Sequence, residues 1–309
     1  MQIKEKKPIK PRCLMPGDTL GIVAPAGPFD PKKFMKGKAV LESMGFRTFF
    51  DEGIFQKHGF FAGNDVQRAD QVNRLFADPA VQAVVCARGG YGSMRILPLL
   101  DFKIIQNNPK IFVGFSDISV LLFVLHARCS LVTFHGPVVT TLANAAEHTF
   151  KAMLRVMTSN EHLELKPEKG MVIKPGVSSG VVVGGNLTTL CHLVGTSYTP
   201  HFNGKILFLE DRGEAPYRID RMLIQMKLAG CFEGLKGLFL GSFEACGKLD
   251  DIFRIVQEVF NDVNIPILSG FEIGHGRVNI TIPMGLSATL NTDRRILTFH
   301  EPATVTPDE

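Results

Sequence analysis

The sequence predicts an α/β chain: an N-terminal doubly wound, mostly parallel sheet followed by a second domain of different texture. Three observations predict it. Short β-rich runs alternate with helical patterns from residue 19 to residue 113, the pattern of βαβ units in a parallel sheet. A charged, Pro/Gly-rich stretch at 164–176 (ELKPEKGMVIKPG) breaks that alternation and reads as a crossover. Beyond it the texture changes to a glycine pair, an acidic strand exit and short apolar runs. A chain of 309 residues, 45% of them hydrophobic, is long enough for two cores, and we place the domains at 1–165 and 166–309.

The elements follow in order. Residues 19–24 (TLGIVA) are a strand ending in the turn PAGP, and 31–45 a helix closed by Gly45. Residues 46–50 are a strand, 65–77 a helix and 81–86 a strand. ARGGYGS follows, then a helix through Leu100, a strand at 111–113 and a buried helix beginning at Ile118. Residues 147–158 read as a helix. In the second half, 180–196 is a strand, a Gly pair and a helix, and 205–223 (KILFLEDRGEAPYRIDRML) a strand followed by a helix. That helix sets Ile219, Met222, Leu223 and Met226 on one face, the spacing of a core stripe. GLFLGSF at 237–243 and the run 266–299 supply further short strands.

Charge and cysteine usage exclude several classes. The net charge is +4, and residues 1–12 alone hold four Lys, one Arg and one Glu, also +4, so the rest sums to zero. A nucleic-acid partner needs basic residues spread over a folded face, and the sequence demands none. Six Cys (13, 86, 129, 191, 231, 246) form no C-x-x-C and no Cys/His ligand cluster. They read as reduced core thiols, which argues against a disulfide or zinc framework and for a reducing compartment. The basic start runs into Pro-rich polar sequence without an apolar h-region, so no signal peptide is expected. The uncharged stretch 175–204 is broken by Gly, Asn, His and Pro and does not read as a membrane span. A cytoplasmic location is expected.

Ligands of doubly wound sheets sit at the carboxyl ends of strands, where PAGP, RGGYGS and GFSD all fall. In GFSD, Ser116 has two readings. It can cap the following helix, or its hydroxyl can stand above the sheet edge as a nucleophile, with the Asp117 amide aimed at an oxyanion. Ile118 breaks the G-x-S-x-G pattern of α/β-hydrolases. A nucleophilic Ser needs a base and the base an orienter. Among nine His, His275 stands out between Gly274 and Gly276, with His135 in FHGP as rival. Glu210 and Asp211, leaving the strand ILFLE, are both candidate orienters. RGGYGS lacks the Lys of a P-loop and the spacing of G-x-G-x-x-G, but it can supply backbone amides beside Ser116.

GIVAPAGP, ARGGYGSMRILPLLD, VGFSDISVLL, HGP, GGNLTTL, LFLED…YRIDRML and GHG occur in this order, and over roughly residues 17 to 290 the chain resembles the LD-carboxypeptidases. These are serine peptidases that trim murein peptides, and the family also contains microcin C immunity peptidases. The resemblance implies a Ser–Glu–His triad at Ser116, Glu210 and His275, with an oxyanion hole from the amides of Asp117 and Gly90. It implies an N-terminal domain like class I glutamine amidotransferases, a smaller β-rich C-terminal domain, a homodimer and no metal or cofactor. The nucleophile would come from one domain and the Glu and His from the other. The expected substrate is a murein tetrapeptide losing its terminal D-alanine. Its carboxylate would be held by Arg88, Arg212 or Arg218; we favour Arg88, with Tyr91 beside it in the same loop. The alternatives are a microcin-immunity-type peptidase acting on aminoacyl-nucleotide conjugates and a non-catalytic murein-peptide-binding protein.

Overall fold

A computed structural model describes residues 7–306; residues 1–6, half of the cationic N-terminal run, lie outside the described residues. Five strands of the first half are β1 (Thr19–Val23), β2 (Arg47–Phe49), β3 (Ala83–Cys86), β4 (Ile111–Gly114) and β5 (Thr133–His135). They stand side by side as β2-β1-β3-β4-β5, each pair parallel. Every residue of β3 and β4 is buried, as expected for parallel strands covered on both faces. The strand order reverses between β1 and β3, so the loops that leave them diverge and open a crevice there.

The second half contributes β6 (Glu164–Leu165), β7 (Val172–Lys174), β8 (Val177–Asn186), β9 (Lys205–Arg212), β10 (Gly237–Glu244) and β11 (Ile267–Leu268). After these come β12 (Ile282–Met284), β13 (Ser287–Asn291) and β14 (Ile296–Phe299). A second sheet has the order β6-β14-β13-β8-β9-β10-β11-β7, with β8 to β11 mutually parallel and the flanking strands antiparallel. β12 is the exception. It pairs antiparallel with β5 and is the sixth strand of the first sheet.

Local chemistry explains most boundaries. Asp30 accepts a hydrogen bond from Lys32 N with Pro31 at the first helical position, which starts the helix Pro31–Ser43. Asn64 and Gln67 form a capping box before Asp65–Ala77. The helix expected through Leu100 is shorter: Ser93–Ile96 is α-helical and Leu97–Leu99 a 3-10 turn, because Pro98 supplies no amide to continue the ladder. The crossover at 164–176 carries β6 and β7, both edge strands whose partners lie far along the chain. A helix at Leu249–Val259 fills the β10–β11 connection, burying Ile252, Ile255, Val256 and Val259 at i, i+3, i+4 and i+7. All six cysteines are buried free thiols. Among the described residues no helix is long and apolar enough to cross a membrane.

The two halves share their cores. One buried apolar cluster runs from Val23 and Phe112 to Leu187, Leu209 and Ile219, the other from Leu20 and Val113 to Phe208, Phe239 and Leu290. A polar bolt joins them: Ser119, first residue of the helix Ser119–Cys129, accepts the Asn186 amide at 3.0 Å through its Oγ. Asn186 pairs with Glu210 across β8 and β9, so the Ser116 helix is docked beside the acidic exit of β9.

Candidate active site

Beyond Gly114 the chain makes a sharp elbow. Ser116 has φ of 63°, a left-handed conformation that costs a non-glycine residue on the order of 1–3 kcal/mol and concentrates at functional sites. Residues Ser116–Ile118 form a 3-10 turn, and the helix begins at Ser119 with Ile118 in the cap position and no side-chain cap. The Ser116 hydroxyl therefore caps nothing. The elbow packs against the RGGYG loop: a Cβ on Gly89 would lie 3.0 Å from Ser116 Cβ, 3.2 Å from the Phe115 carbonyl and 3.3 Å from the Asp117 amide. Only glycine lets that loop come so close.

Asp117 is buried and its carboxylate accepts the Ser93 amide at 2.8 Å, tying the elbow to the end of the RGGYGS loop. Burial pushes this carboxyl above its usual range, and the Ser93 bond works against that. The loops after β1 and β3 are joined by Arg68, which is wholly buried and donates to the carbonyls of Pro25 and Gly92, the latter at 2.9 Å. Sequence reasoning missed Arg68 because a cation on a helix reads as solvent-facing.

Across a cavity of about 530 Å³ from the elbow stands His275. Its Nδ1 lies 2.6 Å from Glu210 Oε2, and Glu210 is wholly buried. Its ring packs on Phe115, centroids 4.8 Å apart. Side chains hold the loop around it: Gly274 N donates to Asn279 Oδ1 at 2.9 Å and Gly276 N to Ser242 Oγ at 3.1 Å. Asn279 N in turn donates to Thr149 Oγ1 at 3.1 Å, a tie to a helix of the first half. Gly274 sits at φ of 112°, and a Cβ there would lie 2.5 Å from Glu210 Oε2. Among the described residues no hydrogen bond joins Ser116 Oγ to the imidazole; the two meet as walls of one cavity.

Strand alternation sends Glu210 and Asp211 to opposite sides of β9. Glu210 points to His275, while Asp211 points the other way. Asp211 accepts from Asn186 Nδ2 at 3.0 Å and from the Thr188 amide and hydroxyl at 2.9 and 2.7 Å. Burial raises its carboxyl, which those Thr188 bonds offset in part. His135, the rival base, is wholly buried behind Phe115, with ring centroids 6.0 Å apart and neither ring nitrogen hydrogen-bonded. Burial above all holds its pKa down at about 3, and it does not line the cavity.

Gly90, at φ of 103°, and Arg88 line the cavity, as do Arg212, Lys33 and Thr140. Arg88 donates to the Pro28 carbonyl. Tyr91 is not among the lining residues and packs on Phe61, centroids 5.4 Å apart. Arg218 is likewise absent and is engaged by Glu214 and the Tyr217 hydroxyl. Lys33 and Thr140 were not singled out from the sequence, although Lys33 stands in the first turn of the helix Pro31–Ser43, five residues beyond the PAGP turn. Among the described residues no group of three or more His, Cys, Asp or Glu is placed to hold a metal ion.

Family models of the LD-carboxypeptidase N-terminal domain and C-terminal domain match residues 20–136 and 179–290. The chain belongs to the LD-carboxypeptidase family. It is 36% identical to a probable murein peptide carboxypeptidase of Bacillus subtilis over 294 residues, 92% of each chain. It is 32% identical to the murein tetrapeptide carboxypeptidase of Pseudomonas aeruginosa over 290 residues, 89% of this chain and 94% of that one. The crystal structure of an MccF-like protein from Bacillus anthracis superposes with a TM-score of 0.89 at 27% identity, covering 94% of this chain and 99% of that one.

Proposed function

We propose that this LD-carboxypeptidase is a serine hydrolase that cleaves the L-to-D peptide bond releasing terminal D-alanine from murein tetrapeptides in cell-wall recycling. One observation carries the reading: a strained, uncapped serine at the carboxyl edge of one sheet shares a cavity with a His–Glu pair presented by the other. The two murein carboxypeptidase relatives support the substrate class.

Ser116 attacks the scissile carbonyl while His275 takes its proton at Nε2. Glu210, bonded to Nδ1, holds the tautomer and stabilises the imidazolium. The amides of Asp117 and Gly90 receive the oxyanion; Gly90 N–H donates to no protein acceptor among the described residues and is free to do so. His275 then returns the proton to the leaving amine, and water hydrolyses the acyl-enzyme. Hydrogen bonds between nucleophile and base are commonly long in ligand-free enzymes and tighten in the complex. The nucleophile belongs to an N-terminal unit at 1–165 and the base and its orienter to a C-terminal unit at 166–309, so catalysis requires both. The buried free thiols fit a cytoplasmic setting, and a homodimer is the assembly we assign.

The test is D-alanine release from a murein tetrapeptide. Ser116→Ala should lose at least about four orders of magnitude in kcat; robust release by that variant would refute the serine mechanism. The MccF-like structural relative supports a second reading, a microcin-immunity-type peptidase using the same residues, for which the family resemblance implies aminoacyl-nucleotide conjugates as substrates. Turnover of an aminoacyl sulfamoyl adenosine in preference to the tetrapeptide would establish it.

A further inference from the structure

We propose that Arg212, seconded by Arg277, reads the free carboxylate of the departing amino acid, and that the lobe they line is the leaving-group subsite. The proposal rests on the LD-carboxypeptidase reading and names the residues that make the enzyme act at a chain end. It replaces Arg88, which the sequence favoured for this task.

The cleft has two lobes with a common wall. The larger, about 530 Å³, is lined by Ser116, Gly89, Gly90 and Arg88. The smaller, about 340 Å³, is lined by Gly274, Gly276, Arg277 and Asn279 but by neither Ser116 nor Gly90. His275, Phe115, Arg212 and Lys33 line both. Serine acyl transfer sorts a substrate across such a partition. The carbonyl carbon becomes bonded to Ser116 with its oxygen on the amides, so the acyl portion occupies the larger lobe. The leaving nitrogen must receive its proton from the imidazole, so the departing residue occupies the lobe that the His275 loop encloses.

Charge agrees with this assignment. The smaller lobe is lined by Lys33, Arg212 and Arg277 and by no acidic residue. Neither the Arg212 nor the Arg277 guanidinium has a hydrogen-bond or ion-pair partner among the described residues, and neither belongs to the residues with further interactions. Arg88 differs, since its guanidinium is engaged by the Pro28 carbonyl in the larger lobe. Strand alternation sends Arg212 to the same side of β9 as Glu210, so the residue two positions from the imidazole's partner enters the cleft beside the base. A planar guanidinium fork matches a carboxylate in two parallel hydrogen bonds, and a single D-alanine is small enough for this lobe.

The experiment compares a tetrapeptide ending in free D-alanine with the same peptide ending in D-alaninamide, measuring kcat and KM for wild type, Arg212→Gln, Arg212→Lys, Arg277→Gln and Arg88→Gln. Wild type should prefer the acid. Arg212→Gln should lose about tenfold or more in kcat/KM on the acid, mainly through KM, and little on the amide. Arg212→Lys should keep part of the preference, and Arg277→Gln should lose less than Arg212→Gln. An unchanged preference in Arg212→Gln, or its collapse in Arg88→Gln instead, overturns the proposal. A wild type that hydrolyses neither peptide sinks the carboxypeptidase reading instead. Binding of the two peptides to Ser116→Ala, followed by ligand-observed NMR, reads the same preference without turnover. There, equal acid-over-amide preference with and without Arg212→Gln overturns the subsite.

Discussion

Ser116 is held by its backbone, whereas His275 is held by side chains that hydrogen-bond to its loop. The serine elbow has a left-handed φ and a glycine loop pressed against it, so its geometry is written into chain path and steric contact. The histidine loop hangs from Glu210, Ser242 and Asn279 through bonds of 2.6, 3.1 and 2.9 Å. Backbone strain leaves a signature in a short stretch of sequence. Tethering by distant side chains leaves almost none, because any Ser or Asn can play the part once the fold brings it near.

That contrast can be broken from either side. Glu210→Gln keeps the shape but removes the charge that, in the proposed mechanism, stabilises the imidazolium, and should lower kcat by roughly 10³ to 10⁴ with an unchanged circular dichroism spectrum. Gly89→Ala attacks the serine side through space alone. Its Cβ must displace the elbow by a few tenths of an ångström, and kcat should fall by about ten- to a hundredfold with KM nearly constant. Wild-type kcat in that variant would mean the elbow yields without consequence. Asn279→Ala attacks the histidine side through a tether and leaves the buried Gly274 amide without its acceptor. A loss of about 1–3 kcal/mol in denaturant unfolding is expected, with a smaller fall in kcat than Gly89→Ala produces.

The gentlest probe is His135, which lies behind Phe115 between the two sides. Its folded pKa of about 3 is below the unfolded value near 6.5. The unfolded chain therefore binds the extra proton between those values, and stability should fall as pH drops from about 6.5 towards 3. The slope is at most about 1.4 kcal/mol per pH unit from this one group. His135→Phe should flatten that part of the unfolding-against-pH curve; an identical curve would show that other groups govern acid sensitivity.

Much of the fold was legible because alternation of strands and helices is a local pattern. The helices at Asp65–Ala77 and Glu147–Thr158 stand where the sequence puts them. The edge strands β6 and β7 were missed because they take shape only through pairing with distant segments. At the site, the glycines around Ser116 and His275 marked both residues. The proposed orienter was not separable from its neighbour: Glu210 and Asp211 are adjacent carboxylates, and only the folded loop that sets His275 Nδ1 2.6 Å from Glu210 Oε2 shows which one faces the imidazole. His135 looked like a competitor because a strand end can be open or buried, and the sequence does not say that Phe115 covers this one.

The strand β12 gives the His275 loop two footings in different sheets. On one side Ile273 accepts the Ser242 amide from β10. On the other, Ile282 pairs with His135, itself the neighbour of Gly114 at the base of the serine elbow. The imidazole thus rides on a bridge whose piers are the two sheets, and in the proposed mechanism loosening the β10 pier silences the enzyme while leaving the Ser116 elbow in place. Catalytic activity is then a gauge of the less stable sheet. A fragment ending at residue 165 would carry the proposed nucleophile but expose the bare edge of β5, a surface prone to pair with another chain.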